Sequence, residues 1–154
     1  GCSALHFSAQ GGNSATTEAL LKAGANANLK DKAWNSALTL AAWHGHTNVV
    51  VELVKAEAKL DLQNNDGNSA VMLATRGGYP NVVEELAKAG ANVDLQNKTD
   101  DSALTIAAMC HSHTDIVVEL VKAGANLDLQ NKFRDSALIM AANNGHTNVA
   151  VELV

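Results

Sequence analysis

The chain has 154 residues, 47% of them hydrophobic and 18% charged, with a formal net charge of −5. That apolar share suffices for a packed core, whereas the acidic balance without a basic cluster argues against nucleic acid, whose binding rests on neutralising phosphates. No apolar run approaches the ~18 residues of a membrane span and no signal peptide is visible, so the expectation is no membrane insertion and an intracellular, cytoplasmic setting.

The first element, at the start of the chain, opens at Ser3 and closes at Gly12, and it then recurs. Equivalent serines stand at Ser36, Ser69, Ser102 and Ser136, with steps of 33, 33, 33 and 34. Leu20, Leu53, Leu86, Leu120 and Leu153 keep a second beat, with steps of 33, 33, 34 and 33. A period in this range means stacked supersecondary units, each too small to bury its apolar face alone. The copies run 1–32, 33–65, 66–98, 99–132 and 133–154, and we read them as a single domain spanning 1–154.

Each full copy follows one plan. A short apolar segment such as SALTLAAWHG at 36–45 predicts a helix with Ser as its N-cap, because the hydroxyl accepts a free N–H of the first turn. Gly12, Gly45, Gly78 and Gly145 close it. A second helix follows, as in VVVELVKA at 49–56, closed by Gly24, Gly90 and Gly124 where a left-handed residue is needed. Glu57 replaces that glycine in the second copy, which predicts local strain. Tyr79-Pro80 opens the second helix of the third copy, with proline well placed in a first turn. A polar loop such as LDLQNND at 60–66 leads onward.

The step of 33, the paired helices, the Gly45-His46 and Gly145-His146 turns and the Ala-Gly-Ala-Asn segments at 23–26, 89–92 and 123–126 resemble ankyrin repeats along the whole chain. The resemblance implies an all-α solenoid of helix-turn-helix units joined by hairpin-like loops, with a concave side that binds protein. It also implies that the histidines of the turn are structural and bond to backbone, as His46, His113 and His146 would here. The family's Thr-Pro-Leu-His start appears as Ser-Ala-Leu-His at 3–6 and then as SALT, SAVM, SALT and SALI, so the capping hydroxyl persists while proline and most histidines are lost.

Aligning the copies sorts positions by role. Leu5, Leu38, Val71, Leu104 and Leu138 stay apolar, as do Phe7, Leu40, Leu73, Ile106 and Met140 two residues on, and Val49, Val50, Leu53 and Val54 with their equivalents. We expect these to form the stacking core. Glu52–Lys55, Glu85–Lys88 and Glu119–Lys122 read as exposed pairs on the second helix. The repeated Asp-Leu-Gln-Asn at 61–64, 94–97 and 128–131 reads as a polar ladder between loops.

Two places in each copy vary freely. One is the loop tip before Ser, at 33–35, 66–68, 99–101 and 133–135. The other is the end of the first helix, at 10–11, 43–44, 76–77, 109–110 and 143–144. In an ankyrin-like stack both would line the concave side. Three of the five aromatics fall there, Trp34, Trp43 and Phe133, and exposed aromatics and arginines mark contact surfaces. The expected partner-binding residues are therefore Trp34, Trp43, His44, Arg76, Met109, Phe133 and Arg134.

No nucleophile–base pair and no phosphate-binding loop is present, so no catalytic residue and no cofactor are assigned. Cys110, His111 and His113 form a short cluster, but no fourth ligand lies near and the spacing fits no closed zinc site. It coincides with the copy that is one residue longer, which explains it more simply as an insertion. Cys2 and Cys110 lie three repeats apart, too far for a disulfide, and free thiols suit a reducing compartment. The chain starts at the tail of a loop and stops within an apolar helix at Val151–Val154, so neither end carries the polar face of a terminal repeat. That leaves two further expectations: a segment of a longer array, recently duplicated or designed, or a scaffold that self-associates through its terminal repeats.

Overall fold

Each first helix begins at its serine because the hydroxyl satisfies the first turn. In the computed structural model, which describes residues 2–110 and 113–154, Ser36 Oγ accepts the Thr39 N–H at 3.2 Å and Ser102 Oγ accepts that of Thr105 at 3.2 Å. The side chains of Thr39 and Thr105 return the bond, accepting from the Ser36 and Ser102 N–H at 2.8 Å. Threonine thus does the reciprocal capping that His6 does in the first copy, where Nδ1 accepts the Ser3 N–H at 3.1 Å. Loss of histidine leaves these two helix starts fully capped.

The described residues form ten helices. In chain order they are α1 Ala4–Gln10, α2 Ser14–Lys22, α3 Ala37–Trp43, α4 Thr47–Lys55, α5 Ala70–Gly77, α6 Pro80–Lys88, α7 Ala103–Met109, α8 Thr114–Lys122, α9 Ala137–Asn143 and α10 Thr147–Glu152. No strand occurs among the described residues. The helices pair as first and second within each unit, first helices stack on first helices, and second helices stack on second helices. This is a two-layer solenoid. The helices are short, six to nine residues, and each would be marginal alone. Stacking makes them stable by burying Leu38, Leu104, Val49, Leu53, Val83, Leu86, Val117 and Leu120 in one continuous core.

The closing glycines adopt left-handed backbone, with φ of +69° to +74° at Gly12, Gly45, Gly78 and Gly145. The turn is also crowded. A Cβ at Gly45 would lie 2.5 Å from the Tyr79 ring, and one at Gly12 would lie 2.7 Å from the His46 ring. His46 Nε2 then donates to the Gln10 carbonyl at 3.0 Å, and His146 Nδ1 donates to the Ala108 carbonyl at 2.9 Å. These two turn histidines therefore tie the second unit to the first and the fifth to the fourth, whereas the buried Nδ1 of His113 makes no such bond among the described residues. Glu57 does take the glycine's left-handed conformation, at φ +55°.

Core expectations fail in the first and fifth units, at Phe7, Leu138 and Val154. Phe7 is 63% exposed. Residues advance by 100° around a helix, so the position two beyond Leu5 faces away from it. Leu73 and Ile106 at that position are covered, whereas Phe7, in the first unit, is not. Leu138, Ile139, Val151 and Val154 of the fifth unit are also exposed, although Leu38 and Leu104, equivalent to Leu138, are buried against the next unit.

Candidate functional site

The loops between units are each built on an aspartate or asparagine side chain. Asp31 Oδ1 accepts the N–H of Ala33 and of Asn35, both at 2.8 Å. Asn64, Asn97 and Asn131 repeat this with the residues two and four further on. Burial pushes the Asp31 carboxyl up, but the bonds from Asn35 and Ala33 outweigh it and hold the group below the usual carboxylate range. Inside each loop the fourth residue bonds back to the first, as in Trp34 N–H to the Asp31 carbonyl at 3.0 Å. That closes a tight turn whose last residue is left-handed.

The loops are then laced to one another. Asn97 Nδ2 donates to Asn68 Oδ1 at 3.0 Å, Gln63 Nε2 to the Gln96 carbonyl at 2.9 Å, and Gln96 Nε2 to the Gln130 carbonyl at 2.9 Å. Main chain joins main chain as well, with the Asn65 N–H on the Ala33 carbonyl and the Lys98 N–H on the Asp66 carbonyl, each at 3.0 Å. The expected polar ladder is present and forms a rigid row of hairpins. Such a row can display side chains at fixed spacing, which is what a contact surface requires.

Between this row and the first helices runs an open groove of about 400 Å³. Trp43 and His44 from the end of α3 line it with Arg76 from α5, and so do Leu40, Leu73, Asp66 and Asn68. Trp43 is 44% exposed. Met109 stands one unit further along the column that holds Trp43 and Arg76, and it is 38% exposed. Phe133 is equivalent to the groove residue Asp66 and is 79% exposed. Arg76 also lies close enough to Cys110 to oppose the upward push that burial gives that thiol.

Trp34 does not share the groove. It lines a separate depression with Lys30, Gln63, Gly67, Asn97 and Lys98, and the two depressions have only Asn64 in common. Arg134 occupies the position equivalent to Trp34 in the fourth hairpin. Of the two variable places, Trp43, His44, Arg76 and the third loop residue Asp66 thus line the groove, while the fourth loop residues Trp34 and Gly67 line the neighbouring depression. Sequence reasoning also missed Leu40, Leu73 and Asp66. The helical wheel places the two leucines on the groove side, because they stand two residues beyond the buried Leu38 and Val71.

The cations differ by region. Lys22, Lys55, Lys88 and Lys122 on the second helices all pair with glutamates. Among the described residues no carboxylate pairs with Arg76, Arg134, Lys32, Lys98 or Lys132. No group of three or more His, Cys, Asp and Glu able to hold a metal occurs among the described residues. His111 and Ser112, within the Cys110–His113 cluster, lie outside them. Cys2 and Cys110 are free. No helix among the described residues is long and apolar enough to cross a membrane.

These features define a helical repeat solenoid with a laced hairpin row. The family model of ankyrin repeats, in three copies, matches residues 5–97 and again 52–131, and the chain belongs to the ankyrin repeat family. Ankyrin repeats are generally protein–protein interaction modules. Among curated proteins no relative matches the chain.

Proposed function

We propose that the chain binds a protein partner through the groove between its hairpin row and its first helices, with Trp43, His44, Arg76, Met109 and Phe133 as the contact residues. The observation that carries this is the convergence of Trp43, His44 and Arg76, from two successive units, on one open groove. Trp43 and Phe133 supply anchor area and Arg76 supplies an unpaired cation for a carboxylate of the partner, the residue types that dominate interface energies. The role is binding and not catalysis. With both cysteines free, the reading places the module in a reducing, intracellular setting.

The test is affinity capture from lysate with the wild type and a Trp43→Ala, Arg76→Ala, Phe133→Ala variant of unchanged helical circular dichroism. Partners held by the wild type and lost from the variant are expected. Partners held equally by both would sink the groove as the binding site.

A further inference from the structure

We infer a second binding site on the hairpin row, outside the groove, that takes an acidic peptide segment carrying a large apolar side chain beside its carboxylates. It rests on the fourth loop position, occupied by Trp34, Gly67, Asp100 and Arg134. All four are left-handed, with φ of +64°, +80°, +58° and +67°. That conformation suits glycine and penalises any residue with a Cβ, a bulky one most of all. Stacking does not require the strain, since Gly67 builds the same turn without it. Strain of this kind, held by a rigid surround, belongs to functional positions.

The alternation of a large and an absent side chain makes the site. Trp34 is 56% exposed and its ring is held by Lys30, whose Nζ lies 4.7 Å from the ring centroid. Lys30 is itself fixed, donating to the Gln63 carbonyl at 3.0 Å. Beside this platform Gly67 has no side chain, which leaves a depression of about 510 Å³ ending at Lys98. The floor is backbone: a Cβ at Gly67 would meet the Lys98 nitrogen at 2.8 Å.

The charge balance selects the occupant. Lys30 and Lys98 line the depression, and neither pairs with a carboxylate among the described residues. The one anion in the lining, Asp61, has Oδ1 engaged by the Asn92 N–H at 2.9 Å. An apolar side chain would lie on the free face of Trp34, with a flanking carboxylate reaching Lys98. A basic segment would meet two lysines.

The probes are three capped tripeptides, Glu-Phe-Glu, Gln-Phe-Gln and Lys-Phe-Lys, titrated into isotope-labelled protein up to millimolar concentration. The chain has two tryptophans, so two indole N–H signals report the two depressions separately, once assigned with Trp34→Gly and Trp43→Ala. Glu-Phe-Glu is expected to move the Trp34 indole and the Gly67 and Lys98 amides, with little response to the other two. Lys98→Gln should weaken it by up to about five-fold, the ceiling for one exposed ion pair. Trp34→Gly should abolish it while the melting temperature stays level or rises, which a merely structural tryptophan would not allow. Equal shifts with all three peptides, or an unmoved Trp34 signal, would overturn the site. Movement of Trp43 alone would also overturn it, yet leave the groove reading standing.

Discussion

The second-helix layer and the hairpin row solve the same problem with opposite attitudes to local rules. In α4, α6 and α8 the copies nearly repeat one another, buried valines and leucines face the stack, and each lysine at the helix end has a glutamate partner. In the hairpin row the framework is as regular, with an Asx side chain founding every turn, but the displayed residues break the rules. Non-glycine residues sit at positive φ, and among the described residues the cations lack carboxylate partners. A chain folds when its local preferences agree, and departures gather where something other than folding is selected. The helices therefore carry stability, and the hairpins display the residues proposed above for recognition.

That division is open to attack by mutation. The largest effect is expected from Leu86→Ala, at a fully buried site of the middle unit. It should cost about 2–5 kcal/mol in urea unfolding. A loss below that range would mean that the stack collapses around the gap. Next is Asn97→Ala, which strips the acceptor for the Thr99 and Asp101 N–H and the donor to Asn68. Orphaned buried groups of this kind cost about 1–3 kcal/mol each, so unfolding should shift by about 2 kcal/mol. No shift would show that the hairpin row owes nothing to its ladder.

Glycine at the strained positions should act in the reverse sense. Glu57→Gly and Trp34→Gly are each expected to gain about 1 kcal/mol by relieving left-handed backbone. The first should leave binding untouched and the second should impair it. A fall in melting temperature for Trp34→Gly would make the tryptophan a structural residue and end the contrast drawn above.

The smallest effect concerns pH. Burial pulls the His113 imidazole below its ordinary range, and its buried Nδ1 has no hydrogen-bond partner among the described residues. The folded state therefore binds this proton less readily than the unfolded chain does. The associated stability is fully present above the ordinary imidazole pKa and is lost as pH falls from there through the folded value. His113→Tyr, which installs the residue found at the equivalent Tyr79, should flatten that loss. Parallel pH–stability curves for the two proteins would exclude the effect.

Fold and site were legible to different degrees. The serine beat gave the helix starts, and the glycines gave the turns even where Glu57 replaced one, because a left-handed closure is imposed by the helices on both sides. The Asp-Leu-Gln-Asn repeat gave the loop ladder, since equal steps put like side chains side by side. Phe7 was misread because its apolar character recurs in every copy while the cover over it does not. Trp34 and Trp43 were placed on one surface because both vary, and variability carries no direction.

Sequence by itself thus determined the repeat, the paired helices, the capping serines, the ladder and the two variable zones. These depend on local bonding and on a fixed step, both of which are written along the chain. Tertiary structure alone decided which way each variable residue points. It set Trp43, His44 and Arg76 in one groove and turned Trp34 into another, because neighbours across 33 residues close a surface that no single unit contains.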